Sequence, residues 1–564
     1  MKTIFSKHTF LILLALCVPA IYFLLVPGFY EPHDTHHLAD IYEMYRAFTS
    51  GQLPPRLGPD FIYGYGYPLF NFYYVLPFYL GAFFYAFLGS LTVSYKLVFL
   101  VSVVISVFGI YLFLREYFSK YASIVGAVLF LYTPYRALEI YVRGAMGEAL
   151  ALSLLPYVFW GLSRYLKKPN TGNIALAAFA LFLFIIAHNY LWLLSAFWIA
   201  GFSVLFLFIN KRRWNIFWGL VGIAVLAAGL SAYWWLPAFL EYQLVPSVTP
   251  FLMEDHFPFI KQLIIPSWGY GTSVWGPHDG LSFQIGLANL FVILFASTLL
   301  FTKKNKLDKK YMLLLLWGMG GFIVSIFFMN IRSLPFWKLL PFYEFVQFPW
   351  RLLFLTTFFS SFLAALIIDR SKSKNNRLFF IIPFALLLIN VVPYFRPNKI
   401  FNKPDDQYLS RFFADQSIDG KMGKVSTEYR NYSEDYLLLP DWVKDKPNKL
   451  PENKIESESA QISEIVELSP VSWNASVSSN TDDSTVTLHK LYFSGWVGKV
   501  DNVIVPTKPE GDFGKVSITV PKGEHQITFY WTETPLRKLS DGLTLVSFGV
   551  LTWLAVRKKY REKK

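Results

Sequence analysis

For most of its length the chain alternates long apolar runs with short polar interruptions. Runs long enough to cross a bilayer fall near 9–28, 95–114, 122–135, 148–166, 173–189, 190–209, 215–239, 285–302, 311–330, 350–368, 377–395 and 541–557. A further run, LFNFYYVLPFYLGAFFYAFLGSL at 69–91, is also long enough. Residues 396–483 are polar and mixed. From 484 the stretches STVTLHKLYF, VSITV and HQITFYW gather β-branched and aromatic residues around turn signals such as PKGE. The pattern predicts an all-α polytopic membrane protein carrying a C-terminal β-rich, sandwich-like domain.

Charge decides whether 69–91 crosses. Basic clusters occur at Lys2/Lys7, Arg115/Lys120, Arg164/Lys167/Lys168, Lys211/Arg212/Arg213, 303–310, 369–377 and 557–564. With twelve spans all seven share the side of the N-terminus; with thirteen the first is separated from the rest. The excess of Lys and Arg on the cytoplasmic side therefore selects about twelve transmembrane helices with both termini cytoplasmic. Segment 69–91 becomes a surface or re-entrant piece outside, where Pro77 and its many aromatic residues suit the interface. The expected organisation is a transmembrane module over 1–395 with an outer loop at 29–94. An extracytoplasmic domain follows over 396–540, then a last helix and basic tail over 541–564.

Composition supports this class. The 564 residues are 54% hydrophobic and 16% charged, against about a quarter charged in soluble chains. The seven basic clusters hold more positive charge than the whole chain's net +14, so the remainder is acidic. The charge thus points to anionic membrane lipids and not to nucleic acid. The single cysteine, Cys17, excludes an intramolecular disulfide. Leu16 stands where a lipoprotein cleavage site takes a small residue, so the first run reads as an uncleaved anchor. NYS (431–433) and NAS (474–476) match the glycosylation acceptor pattern.

Three stretches carry candidate chemistry, all expected on the outer face. In EPHDTHHLAD (31–40) three histidines and two aspartates follow the first span. Leu38, Ile41, Tyr42, Tyr45 and Phe48 recur at helical spacing, which predicts a surface helix over 36–50 with His36, Asp40 and Glu43 toward the polar side. Asp34 is either the N-cap of that helix or a general base for an incoming hydroxyl or amine. The histidines are either interfacial polar groups or, as His33, His36 and His37 with Asp34 (His36 and His33 foremost), ligands for a divalent metal ion. In PYRALEIYVRGAMGEALAL (134–152), Glu148 opens a span, where a carboxylate is costly unless solvated, paired or functional. Arg143 is its candidate partner. In FYEFVQFPWRLLFL (342–355), Arg351 lies in the first turn after Pro349, placed to fork onto a lipid phosphate or to snorkel toward headgroups. Arg143 and Arg351, with His37, Tyr67 and His188 and the neighbouring Asn189, are the candidates for substrate contact.

An acid directly after the first span, a surface helix and a second acid in the next outer loop resemble the GT-C superfamily of membrane glycosyltransferases. More closely, 33–74, YVRGAMGEALALSLLP (141–156) and QFPWRLLFL (347–355) resemble a bacterial and archaeal membrane family labelled "6-pyruvoyl-tetrahydropterin synthase-related". Nothing in these residues suits pterin chemistry. The superfamily resemblance implies transfer of a sugar from a polyprenyl-phosphate donor to a glycan, lipid or protein acceptor, at the outer face of the cytoplasmic membrane. Asp34 would be the general base of an inverting reaction, Glu148 would match the second acidic position, and Arg351 would meet the lipid phosphate. The superfamily usually has Asp or an acidic pair where this chain has Glu148. Two other readings stand beside it: a non-enzymatic transporter of lipid-linked sugar or polymer, and a glycan-binding envelope protein.

Overall fold

A computed structural model describes residues 6–209, 213–245, 252–301, 308–371, 374–413, 439–447 and 450–561. The NYS acceptor pattern and parts of the basic clusters, among them Lys211 and Arg212, lie outside the described residues.

A helix occupies each of the twelve apolar segments. Among the described residues, seven helices are long and apolar enough to cross a membrane, including Lys7–Leu25, Leu91–Arg115, Met146–Lys167 and Lys309–Phe328. Others are shorter, such as Lys120–Leu131 and Thr171–Ala187. Helices Leu91–Arg115, Met146–Lys167 and Leu353–Arg370 form the enclosed centre, whereas Lys7–Leu25, Arg213–Leu230 and Pro535–Arg561 lie at the periphery. Aromatic rings fill the centre. Phe159 stacks on Phe358 at 4.8 Å, and Trp317 stands edge-on to Phe359 and Phe362 at 5.0 and 5.3 Å. Gly161 brings Met146–Lys167 so close to the next helix that a β-carbon there would lie 2.7 Å from the Cα of Ala177. Small residues permit such approach where lipid supplies no hydrophobic drive between helices.

The 69–91 run forms Leu69–Phe72 and then Leu76–Leu88. The second helix has 13 residues, about 20 Å at 1.5 Å per residue, which is short of the roughly 30 Å of bilayer hydrocarbon. A helix is present over His37–Thr49, but it is largely buried and does not lie on the surface as expected. Asp40 and Glu43 are buried at 4% and 0% exposure. The reason is a strap, residues 51–67, that covers this face. Glu43 Oε2 accepts the Asp60 amide at 2.8 Å, and Arg46 Nε donates to Asp60 at 2.8 Å.

Among the described residues nine strands follow: β1 (Ile455–Glu456), β2 (Ala460–Ser469), β3 (Ser472–Ser479), β4 (Ser484–Leu491), β5 (Trp496–Val500), β6 (Val503–Val505), β7 (Lys508–Glu510), β8 (Lys515–Val520) and β9 (Gly523–Trp531). They pair antiparallel in two sheets, ordered β1-β4-β8-β7 and β2-β3-β9-β5-β6. On β3 the alternation places Trp473, Ala475 and Val477 inward against Leu488, Ile518 and Phe529. Asn474 of the NAS pattern falls on the other face of the strand. The last helix starts at Pro535, earlier than the expected 541.

The strand domain packs on the strap. Lys490 Nζ donates to the Pro59 carbonyl at 2.8 Å, and the Leu491 amide donates to Tyr65 O at 3.0 Å. Arg56, in the strap, donates to Glu533 at 3.2 Å and to Asp541 at 3.1 Å. The strap therefore joins helix His37–Thr49 to the domain and to the last helix.

Candidate functional site

The three stretches singled out from the sequence meet at one end of the helix bundle. A π-helical turn, Glu139–Arg143, ends at Gly144, whose φ of 72° suits glycine. A side chain on Gly144 would also collide with the Tyr95 hydroxyl and Pro32. This tight closure lets residues 32–34 run alongside. The His33 and Asp34 amides donate to the Val142 and Arg143 carbonyls at 3.0 and 2.8 Å. Asp34 is thereby fixed beside Arg143 by backbone contacts alone.

Glu148 is the hub. Its Oε1 lies 2.8 Å from Arg143 Nη1 and 2.9 Å from Arg351 Nε, and its Oε2 accepts the Tyr135 hydroxyl at 2.8 Å. His188 Nε2 stands 4.0 Å from Oε1. Arg143 Nη1 is also 2.9 Å from both oxygens of Glu139. Burial pushes the Glu139 carboxyl well above the usual range, against the pull of Arg143. Both guanidiniums rest on aromatic faces, Arg143 on Trp350 at 4.6 Å and Arg351 on Phe348 at 4.9 Å. Arg351 Nη1 donates to Val346 O at 2.6 Å. Arg351 is thus anchored inward on a carboxylate and is not simply reaching for headgroups.

With three donors on it, Glu148 is built to hold two cations in place, and its lone pairs are poorly placed to take a proton from a substrate. Asp34 differs. It is half-buried, and among the described residues its carboxylate makes no hydrogen bond or ion pair. It is near enough to act electrostatically on His37, Asp40, Glu139 and Arg143. Nor is Asp34 the N-cap. The helix starts at His37, its N-cap is His36, and no side chain caps it.

The histidines separate. His33 Nε2 bonds the carbonyl of Tyr270 at 3.0 Å, in the loop 252–286, so it does not join His36 as a metal ligand. His37, 1% exposed, bonds Asp40 through Nδ1 at 2.9 Å and the Tyr74 hydroxyl through Nε2 at 3.4 Å. Burial holds its imidazole down at about 4 and pushes the Asp40 carboxyl up to about 7. His188 stacks on Tyr74 at 5.2 Å, which links the His37 side of the cluster to Glu148. Tyr67 is buried against Phe61 at 5.5 Å and feels the charges of Asp40 and Glu43. Asn189 turns away to the Phe72 carbonyl at 3.1 Å. Arg136, fully buried, also lies apart, with Nη1 on Ser153 at 3.4 Å. Sequence reasoning missed Tyr74 and Tyr135. In a chain with 34 tyrosines no local pattern distinguishes these two.

Fold and site together define a multispanning membrane protein with a buried, charge-dense cluster at one end of its bundle. The chain belongs to the family described as "6-pyruvoyl-tetrahydropterin synthase related domain; membrane protein", whose model matches residues 70–398. That match takes in Glu148, His188 and Arg351 but begins after Asp34, His36, His37 and Asp40. The chain is also similar to an uncharacterised protein of Lactococcus lactis subsp. cremoris, 23% identical over 353 residues. The alignment covers 59% of this chain and 55% of that relative, so the chain spans about half the length of the relative it matches. Among solved structures it is similar to the arabinofuranosyltransferase AftD from Mycobacteria, with a TM-score of 0.45, 13% identity, and 71% of this chain against 28% of that one. It is also similar to the apo Archaeoglobus fulgidus oligosaccharyltransferase, with a TM-score of 0.45, 15% identity, and 80% of this chain against 62% of that one.

Proposed function

We propose that the protein is an extracytoplasmic-face glycosyltransferase that takes a sugar from a polyprenyl-phosphate donor. The observation that carries this reading is a division of labour among acids. Asp34 is uncommitted beside Arg143, while Glu148 is fully engaged in holding Arg143 and Arg351. An amphipathic donor suits a cluster at the end of a helix bundle, because its isoprenoid tail stays in lipid while its phosphosugar reaches the charged groups.

In this mechanism Asp34 takes the proton of an acceptor hydroxyl or amine as that group attacks the anomeric carbon. The bond from the anomeric carbon to the phosphate oxygen breaks, and its electron pair leaves on the phosphate. The guanidinium of Arg351, oriented by Glu148, stabilises that charge. A single in-line displacement inverts the anomeric centre.

The experiment uses the product common to every such donor, a polyprenyl monophosphate, so the sugar need not be known. Protein in nanodiscs is expected to bind it saturably. Arg351→Met should weaken binding about tenfold, the equivalent of 1.4 kcal/mol and at the low end for a charge-assisted hydrogen bond. Folded protein that binds no polyprenyl phosphate above a neutral polyprenol would overturn the reading.

A further inference from the structure

The cluster is short of positive charge. Arg143 faces three carboxylates, those of Asp34, Glu139 and Glu148, Arg351 shares Glu148 with it, and both guanidiniums are already bonded to carboxylate oxygens. Even with Glu139 protonated the two guanidiniums are only balanced by Asp34 and Glu148, so Arg351 would meet a phosphate with no net positive charge around it. Another positive group would complete the site, and the first turn of helix His37–Thr49 offers a place for one.

His36, His37 and Asp40 each present one donor atom there, and the three atoms lie within 4.8 Å of one another. His37 Nδ1 is 2.9 Å, and His36 Nε2 3.8 Å, from the same Asp40 oxygen. Ligands bonded at about 2.0–2.2 Å to one ion stand roughly 3.3–3.6 Å apart in a tetrahedron, so the two distances to Asp40 need shifts of about half an ångström, and the exposed His36 ring swings in by about an ångström to close on His37. The spacing is local: residues three and four apart share a helix face, which brings Asp40 back to both histidines. Burial is graded as an ion site needs. His37 and Asp40 form an enclosed floor with side chains 1% and 5% exposed, and His36, 47% exposed, forms an open rim. His37 also has its other nitrogen on the Tyr74 hydroxyl, the second contact that orients a metal-bound imidazole.

We propose that His36, His37 and Asp40 hold one divalent transition-metal ion of the zinc class, with its open positions toward Asp34. Two imidazoles and one carboxylate favour such an ion over Mg²⁺ or Ca²⁺, which prefer oxygen ligands. Under the transferase reading, on which this role rests, the ion supplies the missing charge beside the donor phosphate. Metal binding itself does not depend on that reading.

The test uses the full chain, purified without a polyhistidine tag, stripped with chelator and titrated with Zn²⁺ and with Co²⁺ as a spectroscopic probe. One ion per chain is expected, with visible Co²⁺ bands that Zn²⁺ displaces. His36→Ala, at the exposed rim, and Asp40→Asn should each weaken binding at least tenfold, whereas His33→Ala should leave it unchanged. His37→Gln replaces Asp40→Asn in the test if the melting midpoint of Asp40→Asn falls. Substoichiometric binding, or binding that survives His36→Ala, would show a hydrogen-bonded helix start and an adventitious ion only. The polyprenyl phosphate assay separates the two claims. Metal bound without lipid phosphate leaves this site standing and removes the transferase reading; lipid phosphate bound without metal does the reverse.

Discussion

Glu148 sits between two guanidiniums, so neutralising it leaves both without their shared counter-ion. Breaking a buried ion pair from one side costs about 3–5 kcal/mol. Glu148→Gln should therefore lower the thermal unfolding midpoint markedly, and lipid-phosphate binding should fall with it. Asp34→Asn removes no bond made by the folded chain and should stay within about 0.5 kcal/mol of the parent. Equal midpoints for the two variants would refute the division of labour between these acids. Much of this site was legible in EPHDTHHLAD and in the Arg143/Glu148 spacing, because ionisable groups stand out against apolar flanks. The mistaken details come from competition at the helix start. A cap at Asp34 was plausible from residue type, but the Asp34 and His33 amides are pinned to the Glu139–Arg143 turn, and the helix begins only at His37. Likewise His33 is drawn off by a carbonyl 237 positions away, which no local spacing reports.

Among the elements, the strap 51–67 links the site's helix to the strand domain, and Lys490 is its most exacting contact. Burial pushes the Lys490 ammonium down to about 7, with Lys454, Asp60, Glu467 and Glu43 around it, whereas lysine ordinarily titrates near 10.4. Below pH 7 the lysine is charged in both the folded and unfolded chain, and the fold carries the whole desolvation cost. As pH rises through 7 the folded chain loses the proton first, and the cost disappears by about pH 10, where the unfolded chain is neutral too. Docking of the strand domain should thus tighten between pH 7 and 9, read as slower hydrogen exchange at Tyr65 and Leu491. Lys490→Met should flatten that dependence; an unchanged slope would contradict the buried lysine. The strands β4, β8 and β9 were readable from their alternation. β2 was not, because most of its residues are exposed on both faces and its hydrophobic signal is weak.

At the scale of the whole molecule, the last helix is tied to the module by two buried arginines. Arg537 Nε donates to Glu241 at 3.0 Å, and Asn71 donates to the same Glu241 oxygen at 2.7 Å. Arg56 reaches Glu533 and Asp541. Arg537→Leu should strip Glu241 of its cation and cost about 3–5 kcal/mol, seen as a lower melting midpoint and faster proteolysis between the strand domain and the last helix. Protection equal to the parent's would show that the domain is held by other contacts. The helical segments were legible because apolar length is a one-dimensional property. These ties were not, because their partners lie hundreds of residues apart and only packing brings them together.

The central claim is that Asp34 moves a proton and does not hold the donor. The most direct measurement sets Asp34→Asn against the parent in nanodiscs, with binding of polyprenyl monophosphate and transfer from a polyprenyl-phosphate sugar followed in the same preparation. The account predicts unchanged binding and a transfer rate lower by about 10²–10⁴-fold, the usual contribution of a general base. Transfer at the parent's rate, or a loss of binding equal to the loss of rate, would contradict it.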